Sequence, residues 1–404
     1  MRFPKSLPAF RLFFLLLLLP AGLQAQDRFQ QAVHIGQVDS IWSATLEENR
    51  PYLVYTPPSY GDTTAAPQRY PVLYLLDGDA HFHSVSGLLQ ILGTGVNGTY
   101  VVPEMIVVAI PNTNRTRDLT PTHTEMGLDG EPEPEFESSG GGPAFLAFLK
   151  GELIPHIDSE YRTMPYRVFV GHSFGGITTL DALYTIPETF NAYVAIDPSL
   201  WWDNRVLLLK ARDYFGTARL EGRALYVAQA NTINPADTAR NLHFESITQF
   251  NEVMRAYDRS GIRYGFRYYD RDDHGSVPVI AEYDALRFLF DGYGAPLQQI
   301  IEEPAQLTEH FRKVSEGLGA DFRPSEAMIR LLSQVTLARD TAKAIEFGEI
   351  RTELYPESFR AWEFLGDVWA AKGDTAKARV CYEQALEKGA DPAAIREKLD
   401  KLGG

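Results

Sequence analysis

Gly171-His172-Ser173-Phe174-Gly175-Gly176 sets a serine among glycines at the spacing Gly-x-Ser-x-Gly. A serine hydroxyl is a weak nucleophile near neutral pH and needs a base within hydrogen-bond reach. The hexapeptide follows the apolar run Arg167–Val170 and precedes the helical pattern Ile177–Tyr184. That strand–turn–helix setting forces the serine into a sharp, exposed bend, with flanking glycines where side chains would collide. A helix N-terminus behind Ser173 favours negative charge on its oxygen. Outside that setting the match would be an ordinary Gly-rich turn.

Of the nine histidines, His274 has the placement a general base requires. It lies in Asp270-Arg271-Asp272-Asp273-His274-Gly275-Ser276, directly after the β-like run Tyr264–Tyr269. Nucleophile, acid and histidine follow in that chain order in serine hydrolases built on a parallel sheet, with the histidine in the loop after the final strand. The acid is then sought after the run Ala224–Val227, where Asp237 is the first carboxylate, Glu245 the second, and Asp272 a neighbour able to substitute. Its work is to hold the imidazole tautomer and stabilise the imidazolium. An oxyanion hole needs two backbone N–H groups. The sequence offers Phe174, next to the nucleophile, and Asp79 in the turn Asp77-Gly78-Asp79 after the run Val72–Leu76. His172 sits inside the bend and reads as shaping it. His81 and His83 have no third partner in sequence, and a lone Cys381 rules out disulfides within the chain and a Cys-based zinc site. No metal and no cofactor are expected.

The elements that must position these groups alternate. Tyr52–Tyr55, Val72–Leu76, Ile106–Ile110, Arg167–Val170, Tyr193–Ile196, Ala224–Val227 and Tyr264–Tyr269 read as strands. Several are almost wholly apolar, as in parallel strands buried on both faces. Helical patterns at 144–161, 177–184, 242–257 and 281–290 lie between them, which predicts an open α/β sheet. Residues 111–142 are polar, acidic around Glu131–Glu137, and end in Gly140-Gly141-Gly142. They read as a long excursion over the sheet's end, either a rim or lid or a solvated loop.

After about residue 300 strand patterns stop. Trp362, Leu365, Gly366 and Trp369, followed by Ala378, Tyr382 and Ala385, have tetratricopeptide-like spacing, with a weaker copy 34 residues upstream at Ala344 and Pro356 as terminator. One good and one degenerate repeat suffice for a helical stack but are short for a separate peptide groove. At the other end, Arg2, Lys5 and Arg11 precede the apolar Phe13–Leu19, Pro20, and small residues ending at Ala25. This is the pattern of a secretory signal peptide, too short to span a bilayer. The expected organisation is therefore a signal peptide at 1–25, an α/β domain at 26–298 and an all-α helical-repeat region at 299–404. The expected location is periplasmic or extracellular, without stable membrane insertion. The formal net charge is −15, and removal of the basic leader makes it more acidic, which argues against nucleic acid as a partner.

Several linked segments resemble the putative-esterase family of α/β hydrolases, which includes esterase D, the enterochelin-type siderophore esterases, feruloyl esterases and mycolyltransferases. They are Leu75-Leu76-Asp77-Gly78, residues 114–121, Gly171 to Gly176, Asp197-Pro198-Ser199-Leu200-Trp201-Trp202 and Asp273-His274-Gly275-Ser276-Val277-Pro278. The likeness covers about residues 45–295 and is greatest to the siderophore-esterase branch. It implies an α/β-hydrolase fold with a mostly parallel sheet, and serine-dependent hydrolysis of a small-molecule carboxylic ester through an acyl-enzyme. Ser173 and His274 match the family's catalytic pair. The acid has no clear match, because Asn231 stands near where some relatives place a carboxylate: either Asp237 serves or the pair acts mainly alone. Trp201 and Trp202 offer a flat wall for an aromatic acyl group, or core packing. Arg115 and Arg117 would read an anionic group, or pair with Asp118 or its neighbours. Two other readings stand beside hydrolysis: an acyltransferase on the same site, and a scaffold that recruits a protein partner through residues 299–404.

Overall fold

The strands form where the apolar runs lie. In this computed structural model, which describes residues 32–94, 100–236 and 238–403, they are β1 (Gln37–Ser43), β2 (Glu48–Tyr55), β3 (Tyr70–Leu76), β4 (Ile106–Ile110), β5 (Thr163–His172), β6 (Ala192–Ile196), β7 (Ala224–Ala230) and β8 (Arg263–Tyr269). They make one eight-stranded sheet in the order β1-β2-β4-β3-β5-β6-β7-β8. The pairs from β4 through β8 are parallel, and β1 and β2 add an antiparallel edge. The fold is of the α/β-hydrolase type, as the resemblance implied. β1 carries no apolar run because most of its residues are exposed.

The period-two alternation of a strand divides its side chains between two cores. Along β3, Val72, Tyr74 and Leu76 enter one, and Leu73 and Leu75 the other. Helices α1 (Gly78–Thr94) and α8 (Val277–Leu289) contribute to the second core. The short α2 (Arg115–Asp118) precedes α3 (Gly142–Phe148), α4 (Ile154–Glu160), α5 (Phe174–Thr185), α6 (Trp202–Thr217) and α7 (Thr238–Tyr257), and α3 to α7 contribute to the first. The expected helix at 144–161 is split by a π turn at Leu149–Leu153, just before Pro155, which has no N–H to continue the ladder.

Residues 111–142 fold down onto the sheet's end. Beyond α2 they contain a 3-10 turn at Pro134–Phe136 and an isolated bridge between Met126 and Pro132. Phe136 is buried, edge-on to Trp202 at 5.0 Å and to Phe174 at 5.8 Å. An aromatic anchor therefore ties this excursion to the core.

The C-terminal region is all helix among the described residues: α9 (Leu297–Glu302), α10 (Gln306–Leu318), α11 (Glu326–Leu337), α12 (Thr341–Leu354), α13 (Phe359–Lys372), α14 (Thr375–Glu387) and α15 (Pro392–Lys401). Side-chain oxygens of Ser325, Asp340, Ser358, Asp374 and Asp391 cap the last five, satisfying N–H groups with no partner inside the helix. Gly366 lies against the Tyr382 ring, where a Cβ would come within 2.5 Å of Cε1. The close approach of α13 to α14 thus leaves no room for a side chain at this position. Phe322 packs on Tyr166 of β5 at 5.3 Å and on Phe290 and Tyr293 after α8. The buried pair Arg351–Glu326, 2.8 Å apart, also takes Ser358, and Glu326 accepts from the Ala66 N–H in the loop before β3. From Gly36 onward these elements form one compact unit. No helix among the described residues is long and apolar enough to cross a membrane. The expected signal segment 1–25 lies outside the described residues.

Candidate active site

Ser173 occupies the bend between β5 and α5 with φ 61° and ψ −116°, a conformation that costs a non-glycine residue about 1–3 kcal/mol and persists only where the surroundings impose it. They do so here by crowding. A Cβ on Gly171 would lie 2.1 Å from the Gly175 carbonyl oxygen, so strand and helix can meet only at glycine. The Ser173 N–H donates to the Ile196 carbonyl and Ser199 N–H to the Ser173 carbonyl, which stitches the bend to the end of β6. Ser173 Oγ lies 3.2 Å from Ser199 Oγ, a buried hydroxyl.

His274 stands in the loop after β8. Its Nδ1 is 2.6 Å from Oδ2 of Asp197, the first residue after β6. A carboxylate only accepts, so Nδ1 carries the proton and Nε2 is left as a base. Asp197 is fully buried, and burial pushes its carboxyl up. Hydrogen bonds from His243 and His274 outweigh that and hold it well below the ordinary range. His243, on α7, places Nε2 2.9 Å from the same Oδ2, and the Ala230 N–H donates to Oδ1 at 2.8 Å. Among the described residues, Asp197, His243 and His274 are the one group whose donor atoms converge as a cation site would, within 4.8 Å. The contacts to Asp197 have N–H···O spacing, and a transition ion with bonds of about 2.0–2.2 Å would have to part them.

The expected acid Asp237 lies outside the described residues. Of its alternatives, Glu245 is exposed on α7 and Asp272 accepts from Ser276. The chain order of serine hydrolases does not single out Asp197 as the acid, although it lies in a segment that carries the family likeness. The available clue was a carboxylate directly after a wholly apolar strand, where a simple turn does not require one. His243 gave no clue, being one polar residue in an amphipathic helix.

Asp79 is exposed in the first turn of α1. Its turn abuts the serine bend: a Cβ on Gly175 would lie 3.3 Å from Asp77 Oδ2. Phe174 and Asp79 both open helices, whose first N–H groups have no partner inside the helix. Arg115 forms a bidentate pair with Asp77, Nε to Oδ1 at 2.7 Å and Nη2 to Oδ2 at 3.0 Å, with its guanidinium 5.3 Å from the Phe174 ring centre. Burial pushes the Asp77 carboxyl up, but Arg115 more than offsets this and the carboxyl sits below its usual range. Arg117 pairs with Asp118 and Glu48. Both arginines are thus engaged by carboxylates of the fold. Trp202 is buried and donates Nε1–H to the Thr122 carbonyl, so it packs behind the site.

Trp201 is only half-buried and lines an open cleft of about 620 Å³ together with Ser173, Ser199, His243, His274 and Leu128. Behind the bend His172 packs its ring 4.5 Å from that of His274 and 5.9 Å from that of His81. Burial, reinforced by the neighbouring histidines, pushes its pKa down to about 3 and keeps it neutral.

Residues 43–244 match a family model described as Putative esterase. The chain belongs to that family. The matched stretch includes Ser173 and Asp197 and ends before His274. The chain is 30% identical over 261 residues to the ferri-bacillibactin esterase BesA of Bacillus subtilis, covering 61% of this chain and 86% of that one. It is 32% identical over 237 residues to the siderophore enterobactin esterase of Emericella nidulans, covering 55% and 73%. The crystal structure of an IroE-like serine hydrolase from Shewanella oneidensis superposes with a TM-score of 0.71 at 31% identity, over 79% of this chain and 99% of that one. The chain is a carboxylic ester hydrolase.

Proposed function

We propose that this protein hydrolyses siderophore-type carboxylic esters through an acyl-enzyme on Ser173. The observation that carries the proposal is the His274–Asp197 hydrogen bond of 2.6 Å in the cleft that Ser173 also lines. His274 Nε2 takes the Oγ proton as Oγ bonds to the ester carbon. N–H groups of Phe174 and Asp79 receive the developing oxyanion. As the C–O bond to the alcohol breaks, His274 returns the proton to the leaving oxygen, and a water activated by the same Nε2 then releases the acid. Asp197 holds the tautomer and balances the imidazolium without taking its proton. The named activities of the Bacillus and Emericella relatives support a siderophore ester, and Trp201 and Leu128 supply an apolar wall for an aromatic part of it. Export through residues 1–25 and a tetratricopeptide-like pairing of α13 with α14 belong to the same reading.

An ester panel tests it. Siderophore esters should be cleaved in preference to short aliphatic esters, aryl esters and thioesters, and Ser173→Ala should abolish all turnover. Activity that survives Ser173→Ala contradicts the mechanism, and indifference to siderophore esters contradicts the substrate class. Ester products that dominate when alcohols are added would favour the acyltransferase.

A further inference from the structure

Asp197 serves two histidines. Its Oδ2 faces His274 Nδ1 at 2.6 Å and His243 Nε2 at 2.9 Å, while Oδ1 takes the Ala230 N–H. The two imidazoles stand perpendicular, with ring centres 5.1 Å apart. Their surroundings differ: the side chain of His243 is 8% exposed and that of His274 42%. Both line the cleft, but His243 is almost wholly buried while His274 is open to it. A carboxylate removed from water needs several donors to remain ionised, and here the protein supplies a third through α7.

We propose that His243 is a positioning residue for ester hydrolysis, whose Nε2–H shares Oδ2 of the Asp197 carboxylate with His274 and fixes its aim at His274 Nδ1. The inference rests on the Ser173–His274–Asp197 reading. It adds that the acid is tuned by competition: charge that Oδ2 gives to His243 is withheld from His274. The groups that face His274 are Asp197 after β6, His243 on α7, His172 at the end of β5, and Asp273 beside it in its own loop, with His81 on α1 behind His172. All but His243 are common to the wild type and the variants below. Loss of the second donor leaves more of the carboxylate's charge to His274, so its imidazolium is held more strongly. The acid limb of kcat/KM then moves to higher pH.

The test is the pH profile of kcat/KM on a 4-nitrophenyl ester for His243→Phe, which keeps a ring without a donor, His243→Asn, whose amide is too short to reach Oδ2, and His243→Gln, which restores a donor. The Phe and Asn variants should lose about 10- to 100-fold in kcat/KM, chiefly in kcat. Their acid limb should rise by about half a pH unit or more. The Gln variant should stay within about fivefold of wild type with its limb in place. Equal losses in all three with an unmoved limb would assign His243 a packing role and overturn the proposal, as would wild-type behaviour of Asn. If the Phe variant does not fold, the Asn–Gln comparison decides. Ser173→Ala measured alongside separates the two readings. Activity that survives it sinks the serine mechanism, whereas an inactive Ser173→Ala beside a wild-type-like His243→Asn sinks only the role of His243.

Discussion

Where β3, β5 and β6 end, the next residues are Asp77, Ser173 and Asp197, with φ of 51°, 61° and 41°. Where β3 and β5 begin, Tyr70, Met164 and Tyr166 are buried, with Phe322 edge-on to Tyr166 and Phe290 tilted against it. Adjacent strands thus carry left-handed, non-glycine residues at one end and aromatic packing at the other. Strain at the first end holds the Ser173 alcohol and the Asp197 carboxylate in place and keeps the Arg115 clamp on Asp77. Burial at the second, through α9 to α12, secures the sheet that imposes the strain. Each strained residue costs about 1–3 kcal/mol, and only a firmly packed framework sustains three of them.

The comparison predicts that the two ends respond oppositely to substitution. Asp197→Asn should lower kcat/KM by roughly a thousand- to ten-thousandfold, because the amide no longer fixes the His274 tautomer. Steady-state kinetics on folded protein checks this, and a loss below tenfold would break the assignment of the acid. At the far end, Arg351→Ala leaves Glu326 buried without its partner and should cost about 3–5 kcal/mol in denaturant unfolding. Its kcat/KM, measured where the variant is folded, should remain within about twofold of wild type. A parallel loss of activity would show that the helical region reaches the site. The smallest effect is the most telling in sign. Ser173→Gly should abolish turnover yet raise stability by about 1 kcal/mol, because glycine accepts this φ without strain. A lower Tm would mean that the bend is not strained.

Much of this was legible before the fold. Parallel strands declare themselves as apolar runs because both their faces are buried, as in Val72–Leu76 and Ile106–Ile110. The bend at Ser173 is legible because close strand–helix approach demands glycine, and His274 because a histidine follows the last strand. β1 was not legible, being an exposed edge strand, and neither was α1, where Gly78, Ser84, Ser86 and Gly87 dilute the helical pattern. Chain order points to an acid after β7, whereas His274 meets a carboxylate at the end of β6. Local pattern records which residues are strands but not which strand ends converge. His243 reaches Asp197 from α7, a contact that no spacing encodes. Arg115 showed its charge but not its partner, since Asp77 lies 38 residues away.

The most direct test of the central claim is covalent labelling with a fluorophosphonate, followed by intact-mass and peptide mass spectrometry. One adduct per chain on Ser173, abolished by Ser173→Ala and slowed at least a hundredfold by His274→Ala, is the result expected. An adduct on another residue, or none on correctly folded protein, would contradict it.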